Sequence, residues 1–372
     1  MAKKLPKNTK RKPASRRAPS SSKVLITGGA GFIGSNVLEY LFDKYPSYSF
    51  IVLDALTYAG NIRNIPEHIQ KSTRFRFWYG DVRNAKIVDH LVSQVDYVVH
   101  FAAETHVARS IFDDENFFTT DVIGTQRIAN AVLQHKKRIK RLIHISTSEV
   151  YGTALDKKMD EEHPLNPQSP YAAAKCGADR LVYSYIETYK IPAVIVRPFN
   201  AYGQRQHLEK LIPRFITNCI TGDTLTIHGS GYSSLDFTHV QDIARAIDLI
   251  LHAPASKVDG EVFNIASETH RSVIEIAKQI QDLMKQEGGK GTLVHTKSTP
   301  MVNIGDRPGQ VYRHTGDASK LRKTLGWKPQ VNFASGLRET IHWYTENKEW
   351  WQSQLWMRHV PIETEDGKIE LH

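Results

Sequence analysis

Between Lys23 and about residue 200 the chain alternates two hydrophobic rhythms. Short, nearly continuous apolar runs rich in β-branched and aromatic residues read as strands: KVLIT (23–27), FIVLDAL (50–56), FRFWYGDV (75–82), YVVHFAA (97–103), RLIHIS (141–146) and AVIVRP (193–198). Between them lie amphipathic stretches, among them 33–44, 119–137 and 170–190, with the spacing of helices. Strands that are apolar on both faces and separated by helices predict an α/β protein built on a doubly wound parallel sheet.

After residue 200 the rhythm changes. LIPRFITNCITG (211–222), QDIARAIDLILHA (241–253), VIEIAKQIQDLMKQ (273–286) and LRETIHWYTEN (337–347) read as helices, and VFNIAS (262–267) returns to strand. EGGKGT (287–292) reads as an exposed loop. The pattern divides the chain into a sheet domain at 23–200 plus about 236–266, and a smaller interleaved α/β region at about 201–235 plus 267–350. A C-terminal extension, 351–372, has no clear pattern, and the tryptophans around it are expected to serve packing.

Charge changes the picture at one end. The formal net charge is +10, but residues 1–23 hold nine Lys/Arg and no acid, leaving 40 basic against 39 acidic residues elsewhere. The basicity belongs to a tail and not to a nucleic-acid-binding face. Residues 1–22 have almost no large apolar side chains and are expected to be disordered, lacking the apolar core of a secretory signal. No apolar run approaches the ~20 residues of a membrane span. Two cysteines, Cys176 and Cys219, cannot build a disulfide framework, so a reducing, cytoplasmic setting is expected. The 17 histidines show no metal-binding spacing, and no metal is expected.

Candidate chemistry begins at VLITGGAGFIGSNVLEYL, where Gly28, Gly31 and Gly34 fall after a strand and at the mouth of a helix. Gly28 permits the tight turn, Gly31 lets backbone approach a pyrophosphate, and Gly34 allows close helix–strand packing. Asp54 ends the next strand 20 residues after Gly34, where an acid binds ribose hydroxyls. No Lys or Arg follows Asp54 before Arg63, so a 2′-phosphate finds no partner and NAD is preferred over NADP. Asp81, after the third strand, is placed to reach the adenine. The sheet domain is therefore read as Rossmann-type.

A second constellation sits further along. Tyr171 and Lys175 lie one helical turn apart in SPYAAAKCGADRLVYSY, and an ammonium beside a phenol lowers its pKa. Upstream, HISTSEVYGTA ends a buried strand in Thr147, Ser148 and Glu149. Burial there would raise the Glu149 pKa and make it a better base.

Together these residues resemble the extended short-chain dehydrogenase/reductases that modify nucleotide sugars. The resemblance runs from about Lys23 to about Trp351. LTYAGN (56–61), AAETHVARSI (102–111), EVYG (149–152), EKLIP (209–213), GDRPGQ (305–310) and LGWKP (325–329) are similar to the 4,6-dehydratase branch, typified by the dTDP-glucose enzymes. The resemblance implies bound NAD, a nucleotide-sugar substrate and a homodimer built from paired helices. It implies oxidation at C4 with Tyr171 taking the hydroxyl proton, removal of the C5 proton by Glu149, loss of the 6-hydroxyl as water, and hydride return to C6. Thr147 and Lys175 hold the oxygen and the ribose. Phe32, Ile33, Val82, Ala102, Ala103, Thr105 and Ser146 are carried over as cofactor contacts, and His106, Asn200, Lys210, Leu211, Arg214 and Arg307 as substrate contacts.

Two positions depart from that pattern. Ser148 stands where the dTDP-glucose enzymes carry an Asp that protonates the leaving hydroxyl. Leu235 stands where an Arg grips the diphosphate, a task left to Lys210, Arg214 or Arg307. UDP-glucuronate decarboxylases and 4-epimerases of the same family are the alternative, and a non-catalytic nucleotide-sugar binder is the alternative from another class. A scaffold would have no chemical need for Thr147, Glu149, Tyr171 and Lys175 together.

Overall fold

The computed structural model describes residues 21–288, 299–306, 309–363 and 368–371. Most of the N-terminal tail, most of the 287–292 loop, and Arg307 lie outside the described residues. Six strands, β1 (Lys23–Thr27), β2 (Ser49–Asp54), β3 (Phe75–Tyr79), β4 (Tyr97–His100), β5 (Arg141–Ile145) and β6 (Ala193–Pro198), join Val262–Ile265 in one sheet. The spatial order is β3-β2-β1-β4-β5-β6 followed by Val262–Ile265, and every pairing is parallel.

Alternate residues of each strand feed opposite faces, which is why the strands read as continuous apolar runs. Val24, Ile26, Val99, Ile143, Val194 and Val196 pack toward the helices Phe32–Lys44 and Val240–His252. Leu25, Val98, Leu142, Ala193 and Ile195 pack toward Ala85–Val92, Thr125–Gln134 and Pro170–Tyr189. Helix Val240–His252 thus belongs to the parallel sheet's own layer.

The smaller region carries its own core of Ile212, Phe215, Ile216, Ile227, Ile276, Ile280, Leu337 and Ile341. Its helices are Leu211–Thr221, Val273–Gly288 and Phe333–Glu346. It also contains strands too short for the sequence to reveal. Asn200–Tyr202, His270–Ser272 and Arg313–His314 pair around Ser234–His239, and Leu225–His228 pairs with Met301–Ile304. Trp350 and Trp351 are buried, donating their indole N–H groups to Asn64 Oδ1 at 2.8 Å and Tyr344 O at 2.7 Å, which agrees with the packing role.

Several element limits differ from expectation. β2, β3, β4 and β5 end one to three residues early because the chain leaves the sheet at its carboxyl edge to build loops. The helix expected over 119–137 opens with a π-helical segment, Phe118–Gly124, before the regular turns of Thr125–Gln134. Such widened turns cluster at functional sites. The segment expected as loop at 287–292 begins inside the helix that runs to Gly288.

Candidate active site

The strand order reverses between β1 and β4, so the loops leaving their carboxyl ends diverge and open a crevice. The second region closes over it, leaving a cavity of about 450 Å³. Gly28 from β1, Asp54 from β2, Ala102 after β4, Thr147 after β5 and Asn200 after β6 all line it.

The glycine turn fits a dinucleotide for steric reasons. Gly28 has φ +68°, and a Cβ there would lie 2.6 Å from Ala102 N. A Cβ on Gly34 would lie 2.3 Å from Gly28 O, so the helix sits directly on the turn. A Cβ on Gly31 meets nothing closer than Gly28 O at 3.2 Å, and Gly31 itself lines the cavity. No side chain caps the helix that begins at Phe32, so its first-turn N–H groups are directed toward the crevice as an anion site. Asp54 accepts from Ala30 N and Leu56 N, each at 2.8 Å. Burial raises its pKa against those two bonds. These features fit NAD: the turn and helix terminus would hold the pyrophosphate, and Asp54 the ribose.

Gly34→Ala is expected to destabilise the protein by about 1–3 kcal/mol and abolish NAD retention, because the added methyl meets backbone. Thermal melting with and without NAD checks this.

Every described cofactor candidate lines the same cavity: Phe32, Ile33, Asp81, Val82, Ala103, Thr105, Ser146, Tyr171 and Lys175 join those named above. Asp81 also has a partner the sequence did not reveal. Arg83 clasps its carboxylate at 2.6 and 2.9 Å. Burial works against the charged form, but the Arg83 bonds hold the Asp81 pKa below the ordinary value.

The chemical group differs from expectation in two respects. Glu149 is half-buried, on a 3-10 turn, Ser148–Tyr151, that begins past the end of β5. Its N–H donates to Thr147 Oγ1 at 3.2 Å, which fixes the turn, and its side chain faces the cavity. The Tyr171 phenol is not lowered. Burial raises its pKa, with Glu149 and Asp121 adding and a bond to the Thr147 hydroxyl opposing. Lys175 Nζ donates instead to Ile145 O at 2.8 Å. Burial lowers the Lys175 pKa, against Asp121 and Asp179. The i, i+4 spacing places both side chains on one helix face, but their partners come from the end of β5 and the residues just past it.

Asp121 is a neighbour that sequence reading missed. It is fully buried on the π-helical segment and accepts from Glu104 N at 2.8 Å. Burial pushes its pKa up to about 7, with the Lys175 charge opposing. Nothing local in TTDVIGT marks it, since its setting depends on the helix packed beside Pro170–Tyr189.

On the substrate side, His106, Asn200, Lys210, Leu211 and Arg214 all line the cavity, as does Leu235. Asn200 Nδ2 donates to Asp236 O at 3.1 Å, and Lys210 Nζ donates to Thr105 O at 2.6 Å. Ser148 lines the cavity while its carbonyl accepts from His314 at 2.9 Å. Cys176 packs against the core of the sheet domain.

A phenol, a hydroxyl, a lysine and a carboxylate gathered at the switch point of a dinucleotide fold define an NAD-dependent enzyme of the short-chain dehydrogenase/reductase type. The family model for GDP-mannose 4,6 dehydratase matches residues 25–340. A dTDP-glucose 4,6-dehydratase from Streptomyces niveus is 40% identical over 334 residues, covering 89% of this chain and 95% of that protein. A human dTDP-D-glucose 4,6-dehydratase is 36% identical over 335 residues, covering 90% and 93%. The crystal structure of a dTDP-glucose 4,6-dehydratase from Streptomyces venezuelae with NAD bound superposes with a TM-score of 0.82 at 38% identity, covering 89% of this chain and 99% of that one. This chain belongs to the GDP-mannose 4,6-dehydratase family of nucleotide-sugar-modifying enzymes.

Proposed function

We propose that this protein is an NAD-dependent nucleotide-sugar 4,6-dehydratase that converts a nucleoside-diphosphate glucose, with dTDP or UDP as the nucleotide, to the 4-keto-6-deoxyhexose. The observation that carries this reading is Glu149 in one cavity with Thr147, Tyr171 and Lys175. An epimerase needs no base at C5; a dehydratase does.

Bound NAD supplies the two-electron relay, taking hydride from C4 and giving it back at C6. Tyr171 receives the 4-hydroxyl proton, and Thr147, already bonded to the phenol, orients the same oxygen. The new ketone acidifies C5–H, which Glu149 removes. Glu149 then carries that proton to the departing 6-hydroxyl, and Ser148 supplies a hydrogen bond. C5 is reprotonated from solvent through the partly exposed Glu149. Lys210 and Arg214 hold the diphosphate beside the neutral Leu235. We assign the cofactor to residues 23–200 plus about 236–266, and the sugar nucleotide to about 201–235 plus 267–350.

Incubation of purified protein with dTDP-, UDP-, GDP- and CDP-hexoses and UDP-glucuronate, followed by mass spectrometry, tests the reading. Loss of water from dTDP- or UDP-glucose is expected. Loss of carbon dioxide from UDP-glucuronate would transfer the assignment to a decarboxylase, and no turnover would leave a binding protein.

A homodimer in the cytoplasm is part of the same proposal. Helix Pro170–Tyr189 packs beside the Phe118–Gln134 segment, and Phe118, Ile123 and Tyr183 remain exposed on these elements. Both cysteines are free, and no described helix is long and apolar enough to cross a membrane.

A further inference from the structure

Among the buried carboxylates that the mechanism above leaves without a task, Glu209 has the most basic neighbours facing the cavity. Glu209 lies at the junction of three chain segments, with its side chain wholly shielded from solvent. From the loop after β2, Tyr58 donates its hydroxyl to Glu209 Oε1 at 3.1 Å. From the segment after β4 come His106 Nε2 and Arg109 Nε, each 3.7 Å from Oε2. From its own segment, His207 Nδ1 lies 3.5 Å from Oε2 and Lys210 Nζ lies 3.3 Å from Oε1.

A buried carboxylate is costly unless compensated. Here burial works against the charge, but Lys210, His106 and the His207 bond outweigh it and hold the Glu209 pKa well below the carboxylate range. Oε2 faces His106, Arg109 and His207 at 3.5 to 3.7 Å, so long contacts to basic side chains surround this oxygen. The neighbours are useful ones. His106 and Lys210 line the cavity on the sugar-nucleotide side, and Lys210 is also tied to Thr105 O.

We infer that Glu209 is a positioning residue for the substrate subsite: its carboxylate anchors the Lys210 ammonium and the His106 ring, fixing both against the loops that carry the cofactor side. Glu209 also borders the cavity, but its side chain is wholly shielded, so it acts through these two side chains. The inference rests on the nucleotide-sugar reading above. Because Leu235 supplies no charge to the diphosphate, the placement of Lys210 matters more in this chain than it would beside an Arg.

The test separates binding from chemistry. Glu209→Gln keeps the shape and removes the charge, so KM for the active nucleotide sugar is expected to rise about tenfold, with kcat within about threefold of wild type. NAD retention should stay near wild type. Glu209→Asp, which keeps the charge, should bring KM back to within about threefold of wild type. Lys210→Met should weaken substrate binding by about tenfold in the wild-type background and by less than about twofold in Glu209→Gln, since the two act as one unit.

Should Glu209→Gln fail to fold with its cations uncompensated, the double variant Glu209→Gln/Lys210→Met removes both charges and must bind like Lys210→Met alone. An unchanged KM in Glu209→Gln, or additive effects in the double variant, would overturn the role. So would kcat, NAD retention and melting temperature falling together without rescue by Asp. A wild-type protein with no turnover overturns the functional reading instead, so the two failures are distinguishable.

Discussion

Glu149→Gln should lower formation of the 4-keto-6-deoxy product by about 10³-fold, within the 10²–10⁴ range of a lost general base, while C4 oxidation continues slowly. The amide keeps the side-chain shape on the turn Ser148–Tyr151, and the bond from the residue 149 N–H to Thr147 Oγ1 is untouched. Tyr171 and Thr147 therefore remain positioned for the first step. What is lost is a group able to take a proton from carbon. Two signatures separate this outcome from general damage. The nucleotide 4-ketohexose, lighter than substrate by two hydrogens, should build up in a single turnover. Deuterium from heavy water should fail to enter at C5. Deuterium still entering at C5 at the wild-type rate would show that another group is the base.

Tyr171→Phe should remove the first step itself, with a fall of about 10³–10⁴-fold in C4 oxidation and no accumulated ketone. The ring is buried and packs edge-on against Phe117 at 6.2 Å, so losing the hydroxyl leaves the packing in place. The protein should keep its melting temperature and bind NAD as before. The direction of the Tyr171 shift adds a pH dependence. Burial raises the phenol above its ordinary value, so the base form is scarce at neutral pH and the rate of C4 oxidation should climb as pH rises. A single-turnover pH series on wild-type protein checks the sign. A flat profile, with oxidation persisting in Tyr171→Phe, would move the base elsewhere.

Much of the architecture was legible because it follows from local periodicity. β1 and β6 match KVLIT and AVIVRP at both ends, and the helices Phe32–Lys44, Leu211–Thr221 and Val240–His252 match their apolar spacing within a residue. The strands around Ser234–His239 were not legible. They are two to six residues long, and GSGYSSLDFTHVQD shows no alternation long enough to outweigh its turn residues. The π-helical start of Phe118–Gly124 was hidden for another reason. A widened turn changes backbone bonding and leaves the hydrophobic pattern almost unaltered.

The sequence by itself determined the parallel sheet and singled out the glycine turn at Gly28, Gly31 and Gly34 and the candidates Thr147, Glu149, Tyr171 and Lys175, because each is written in spacing over a few residues. Tertiary structure alone decided what those groups experience. The Glu149 exposure, the raised Tyr171 phenol, the Lys175 bond to β5 and the buried Asp121 all depend on segments distant in sequence. Glu209 is the plainest case. In EKLIP it reads as an ordinary acid before a helix, and it becomes a buried anchor only when Tyr58, His106 and Arg109 arrive from more than 90 residues away. Burial and charge are sums over neighbours in space, and a linear pattern carries little of that sum.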